Sequence, residues 1–219
     1  MERLKTGVLI SGSGTNLQAL IDAARAPDYP AEISLVISNK AEAQGLERAN
    51  KAGILTRIIR HTDYNGRAAF DAALDDALRA AGCDMICLAG FMRILSSSFV
   101  EGWRGRMINI HPSLLPAFRG LDAQGQALAA GAKLSGATVH FVVPEMDAGP
   151  IIAQGAVPVL DGDDTARLAK RIQAVEHRIY PLALRLIGAN RTRIDGNRVI
   201  IDGELDSSNH ALLSPDEEG

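Results

Sequence analysis

The chain has 219 residues, 47% of them apolar, with 23 Lys and Arg against 26 Asp and Glu and a formal charge of -3. That length suits one α/β domain with a sizeable core, and the charge gathers into no basic stripe of the kind a nucleic acid needs. No apolar run nears the roughly 20 residues of a membrane span, and "MERLKTGVLISGSGTN" lacks a signal-peptide pattern. A cytoplasmic protein acting on small molecules, with no nucleic-acid or membrane partner, is expected.

In chain order, apolar runs of strand length alternate with stretches of helical period. "GVLISG" precedes "NLQALIDAAR", "EISLVIS" precedes "AEAQGLERANKAG", "ILTRII" precedes "GRAAFDAALDDALRAAG", and "DMICLAG" follows. The strands are continuous apolar runs rather than alternating ones, which is how strands covered on both faces look. The pattern predicts a doubly wound α/β fold. Cys83 and Cys87 flank one strand; four strand residues span about 13 Å, too far for a disulfide, so reduced thiols are expected. Next, "MINIHPSLLP" reads as a strand ending in a turn, and "LDAQGQALAAG" as a helix. "ATVHFVV" and "GPIIAQGAVPV" read as strands pairing antiparallel around "PEMDAGP", which makes the sheet mixed and mostly parallel. A long helix is predicted from about Asp164 to Ile187. These elements are expected to form one domain over 1–189; in 190–219, "TRIDGNRVIIDGEL" suggests a hairpin on an Asp-Gly turn and "SPDEEG" a disordered acidic tail.

Ligands of such a sheet bind beyond the carboxyl ends of its strands. At the first end, "SGSGTN" offers glycines followed by a helix start at Thr15 or Asn16, whose free amides suit a phosphate. A dinucleotide fingerprint would need Gly or Ala in place of Leu17 and an acidic residue where Ser38, Asn39 and Lys40 stand. At the second end, "LAGFMRILS" sets Met92, Ile94 and Leu95 around Arg93, read either as core or as the wall of a slot for a flat heterocycle with a carboxylate. At the third, Asn109 and His111 share one side of a strand, and Pro112 holds the histidine extended. Asp147, in a loop that returns to the sheet, is either a turn former or a partner that orients the imidazole and favours its charged form. Gln173, Glu176 and His177 share one helix face, read on its own as solvated. No His/Cys cluster or carboxylate pair stands at metal-ligand spacing.

"SGSGTNLQAL", "SNKAEAQGLERA", "LAGFMRIL", "INIHPSLLP", "MDAGPII" and "QAVEHRIYP" together resemble the phosphoribosylglycinamide formyltransferase family, folate-dependent enzymes of purine synthesis. "HPSLLP" marks the wider formyltransferase group, while the phosphate loop and "QAVEHRIYP" narrow it. The resemblance implies the formyltransferase fold and transfer of the formyl group of 10-formyltetrahydrofolate to the amine of glycinamide ribonucleotide, by a monomer or homodimer without a metal. It implies a phosphate contact at Gly14, Thr15 and Asn16, and further substrate contacts at Gln173, Ala174, Val175 and Glu176. Folate positions fall on Arg67, Met92, Arg93, Ile94, Leu95, Asn109, Val143, Pro144, Glu145, Met146 and Asp147. His111 matches the proton donor, Asp147 its carboxylate partner, and Asn109 a second donor to the oxyanion. One departure stands out: where many members carry histidine after the "HPSLLP" turn, this chain has Asp122 and Gln124, so a contact to Asp147 is expected to be absent or rebuilt.

Overall fold

Nine strands form one sheet in the computed structural model, which describes residues 2–203 and Ser214. Chain order runs β1 (Leu4–Ile10), α1 (Thr15–Ala24), β2 (Ala31–Ser38), α2 (Gln44–Lys51), β3 (Leu55–Ile58), α3 (Arg67–Ala80), β4 (Met85–Leu88) and α4 (Ser97–Gly102). It continues with β5 (Met107–His111), α5 (Ala123–Ala129), β6 (Leu134–Phe141), β7 (Ile151–Pro158), α6 (Thr165–Gly188), β8 (Thr192–Asp195) and β9 (Arg198–Ile201). The spatial order is β3-β2-β1-β4-β5-β6-β7-β9-β8. β1 to β5 pair in parallel, and β6 is antiparallel to both β5 and β7, so the predicted mixed sheet is present.

The continuous apolar runs have their expected cause. Strand side chains alternate between faces, so Val8 and Ile10 of β1 pack with Leu17 and Leu20 of α1 and with Leu168, Ile172 and Tyr180 of α6. Leu9 points the other way, into a second cluster with Leu74 and Leu78 of α3 and with Trp103. Both faces are covered, so apolar residues run consecutively from Val8 to Ile10. β3 is the exception: it is the outer strand of its side, and Leu55 and Ile58 are exposed despite the apolar run. The short α4, capped by Ser96, was not legible as a separate helix because its apolar pair Phe99 and Val100 spans less than one turn. Asp164 caps α6 through the Arg167 amide at 2.8 Å, which fixes the helix start where the sequence sets it.

The β8–β9 hairpin turns at Gly196 and Asn197, one residue beyond the expected Asp-Gly pair because Asp195 still pairs with Arg198, and it extends the main sheet, β9 pairing with β7 at Ile151 and Arg198. The acidic tail expected beyond it lies, Ser214 apart, outside the described residues. Cys83 and Cys87 are free and buried, and burial pushes their thiols up to about 11 and about 12. Among the described residues no helix is long and apolar enough to cross a membrane.

Candidate active site

The loop after β1 is shaped by glycine. Gly14 adopts φ 69, and a Cβ there would stand 2.5 Å from the Cα of Gly45 at the start of α2. Two backbones meet where no side chain fits, and the Gly45 amide donates to the Gly12 carbonyl at 3.1 Å. Arg48, which sequence reasoning passed over, donates from Nε to the Ser13 carbonyl at 2.8 Å. Gly14 also occupies the cap of α1 and makes no side-chain cap bond, so the first amides of the helix are left for a ligand. Thr15 and Asn16 turn instead toward α6: Gln173 Nε2 donates to Thr15 Oγ1 at 3.0 Å, and Asn16 Nδ2 to Glu176 Oε2 at 2.9 Å.

The face of α6 carrying these groups is not solvated throughout. Glu176 is buried; burial pushes its carboxyl up, opposed by the Asn16 hydrogen bond and by the His111 ring. Of the four α6 positions matched to substrate, Gln173 and Glu176 meet the loop, whereas Ala174 is exposed and Val175 packs on Gly155 of β7. A helix turns 100° per residue, so four consecutive positions cannot all face one ligand. His177 is half-buried, its Nε2 without a hydrogen-bond partner among the described residues.

At the end of β5, Asn109 and His111 face the same side of the sheet, as alternation requires. β6 answers with the same pattern, since Asn109 lies opposite His140 and His111 opposite Thr138. His140 is the site residue the sequence reading missed. Its Nδ1 lies 2.9 Å from the Phe141 carbonyl, which can only accept, so Nδ1 carries the hydrogen. Burial pushes its basicity down and keeps the ring neutral, which leaves Nε2 to accept from Asn109 Nδ2 at 3.3 Å. The asparagine amide is thereby oriented. The signal was available in "ATVHFVV", where Thr138 and His140 break an apolar strand at alternate positions.

His111 is 5% exposed. Its Nε2 donates to the Phe118 carbonyl at 2.9 Å, and its Nδ1 faces Asp147 Oδ2 at 3.5 Å. Both ring nitrogens therefore face an acceptor. Asp147 adopts φ 51, a conformation aspartate tolerates, and its Oδ2 also accepts from the Gly120 amide at 2.9 Å. Gly149 lets the loop return, because a Cβ there would collide with the Phe141 carbonyl. Asp122, standing in the region of the departure, caps α5 through the Gly125 amide at 3.2 Å rather than reaching Asp147. From this stretch it is the Gly120 backbone amide that contacts Asp147.

The remaining matched positions frame an open rim. Met92 and Ile94 are 66% and 60% exposed, which rules out the core reading for both. Arg93 is exposed and Leu95 half-buried. Arg67 opens α3, one turn before Phe70, whose ring stacks on Phe91 at 6.4 Å, so it stands beside the same segment. Across the site Val143 is half-buried, and Pro144, Glu145 and Met146 are exposed. Among the described residues no group of three or more His, Cys, Asp and Glu side chains is arranged to hold a metal ion.

A mostly parallel sheet thus carries a glycine loop at the end of β1 and an Asn-His-Asp cluster at β5, polar groups gathered at one end of the sheet. The chain belongs to the formyl transferase family, whose profile matches residues 4–184. It is 45% identical to phosphoribosylglycinamide formyltransferase of Escherichia coli, over 90% of this chain and 93% of that protein. The crystal structure of glycinamide ribonucleotide transformylase 1 from Symbiobacterium toebii superposes with a TM-score of 0.89 at 52% identity, covering 91% of this chain and 94% of the other. The trifunctional purine biosynthetic protein adenosine-3 of Bos taurus is 53% identical over 196 residues, 90% of this chain but 19% of that protein. The chain thus spans about a fifth of the length of its trifunctional relatives.

Proposed function

We propose that this chain transfers the formyl group of 10-formyltetrahydrofolate to the amine of 5-phosphoribosylglycinamide, giving formylglycinamide ribonucleotide and tetrahydrofolate in de novo purine biosynthesis. The observation that carries the reading is the convergence of Asn109, His111 and Asp147, with Asp147 Oδ2 3.5 Å from the ring of His111. The likeness to named phosphoribosylglycinamide formyltransferases supports the choice of substrates. The substrate phosphate meets the α1 amides at Gly14 to Asn16, Gln173 and Glu176 flank the ribonucleotide, and the folate lies along Met92 to Leu95, Arg67 and the 143–147 loop. Both substrates are small and soluble, so the reaction belongs in the cytoplasm, carried out by a monomer or homodimer.

The amine lone pair attacks the formyl carbon, and the carbonyl π electrons move onto oxygen. Asn109 Nδ2, held by His140, keeps one hydrogen for that oxygen, while His111 gives up the Phe118 carbonyl and donates to it. One preorganised donor of this kind is worth about 3 kcal/mol. The attacking nitrogen loses a proton to Asp147 through water; as the oxyanion re-forms the carbonyl the bond to folate N10 breaks, and N10 leaves with that same proton, returned from Asp147 through water. The test is 10-formyltetrahydrofolate consumption with and without glycinamide ribonucleotide, with the product identified by mass. Consumption that depends on the ribonucleotide and yields formylglycinamide ribonucleotide is expected. Equal consumption without it, releasing formate, overturns the reading in favour of hydrolysis.

A further inference from the structure

Three loops leave neighbouring strands β1, β2 and β4 at the site end of the sheet, and one buried hydroxyl joins them. Ser11 Oγ accepts from the Met92 amide at 2.8 Å and lies 2.6 Å from Asn39 Oδ1. The Met92 amide can only donate, so the single Ser11 hydroxyl proton goes to Asn39. Ser11 and Asn39 are both buried, at 5% and 3% exposure, so water cannot replace either bond. Asn39 in turn touches His61 Nδ1 through Nδ2 at 3.5 Å. The far end of the β4 loop has its own buried anchor, since the Ser96 amide donates to Asp71 Oδ2 at 2.7 Å. Between these two pins Met92 and Ile94 project into solvent, so their side chains do not hold the segment.

We infer that Ser11 is a positioning residue for the folate: its hydroxyl holds the 92–95 segment in register and ties it to the loop that meets the ribonucleotide phosphate. The inference rests on the proposed formyl transfer and extends it to a residue outside both substrate contacts. Ser11 starts the phosphate loop through its backbone and reaches the folate wall through its side chain. Loss of the hydroxyl therefore acts on the folate side, while the backbone at Gly14 stays braced by Gly45.

Ser11→Ala is expected to raise the KM for 10-formyltetrahydrofolate about tenfold, equivalent to ~1.4 kcal/mol of binding, with kcat and the KM for glycinamide ribonucleotide within about twofold of wild type. Ser11→Cys, whose thiol is a much weaker donor and acceptor, should lie between the two. Asn39→Ala reads the same link from its other side and should raise the folate KM selectively even if Ser11→Ala fails to fold. A folate KM unchanged in Ser11→Ala, or in Asn39→Ala where that alone folds, overturns the inference, as does an equal rise in both KM values. Wild-type protein that forms no formylglycinamide ribonucleotide overturns the proposed function instead, and the two failures are distinguished by that control.

Discussion

The two ends of the site are held by different forces. At β1 the glycine loop, the proposed phosphate site, is set by backbone against backbone, Gly14 on Gly45, with no room for a Cβ and with the α1 amides left free of a side-chain cap. At β5 and β6 the geometry is set by side-chain hydrogen bonds whose direction depends on which atoms carry protons: Asn109 to His140, His111 to Phe118, and Gly120 to Asp147. The first end is sensitive to volume and the second to protonation. A substitution that leaves shape intact should therefore be silent at the first and severe at the second.

The largest effect expected is at His111. In the proposed mechanism His111→Ala removes the donor to the oxyanion, and kcat should fall on the order of 10³-fold with both KM values within about threefold, because the interaction belongs to the transition state. Steady-state kinetics read the split. Turnover near wild type would remove the histidine from the chemistry and erase the contrast between the two ends.

Gly14→Val breaks the other end in the opposite way. The new side chain meets the Gly45 Cα and forces a β-branched residue to φ 69, so the damage is to packing and backbone before it is to binding. A left-handed residue costs about 1–2 kcal/mol and overpacking about 1–3. The melting temperature should drop by roughly 10 °C for a chain of this size. An unchanged melting temperature with a raised ribonucleotide KM would mean that phosphate approach, not the Gly45 contact, requires the glycine.

His140→Phe sharpens the comparison at smaller scale. The ring is kept and the acceptor for Asn109 is lost, so kcat should fall about tenfold while substrate affinity holds. Stability adds a second readout. Burial holds the folded His140 below its unfolded basicity of about 6.5, so the unfolded chain binds the extra proton, and wild type loses this contribution as pH falls from there. The Phe variant should lack that acid slope in a melting series. A kcat equal to wild type would leave Asn109 oriented by something other than His140.

The same contrast explains what could be read from the chain before its structure. The proposed phosphate loop is local: glycines, helix start and strand end are contiguous from Ser11 to Asn16, and turn chemistry alone suggests an anion site. Asn109 and His111 were equally legible, because alternation along one strand is a local rule. His140 showed locally only as a polar break in β6; its role arises from cross-strand register with a residue 31 positions earlier, which no local pattern encodes. Gly45 was hidden for the same reason, its partner lying across two loops. The doubly wound, mixed class followed from the alternation of elements, but β3 shows the limit of hydropathy: an apolar run predicts a strand, and only its place at the sheet edge decides exposure.

The smallest effect joins the two ends through Glu176, which touches Asn16 of the phosphate loop and feels the charge of His111. Burial raises its carboxyl above the ordinary range, so the folded state holds a proton that the unfolded chain gives up more readily. A raised folded value contributes stability fully below the unfolded value of about 4.5 and loses it as pH climbs through the folded value. Glu176→Gln keeps the shape and an acceptor for Asn16 Nδ2 without the ionisation. Its melting temperature should match wild type near pH 4, exceed it by a few degrees as pH rises past the folded value, and then run parallel. The ribonucleotide KM should rise several-fold over that same upper range, where only wild type presents a charge to the substrate, and stay close to wild type at the acid end. A constant offset between the two melting series at every pH would show that Glu176 is ionised throughout, and the raised carboxyl would then have no part in linking the phosphate loop to the histidine.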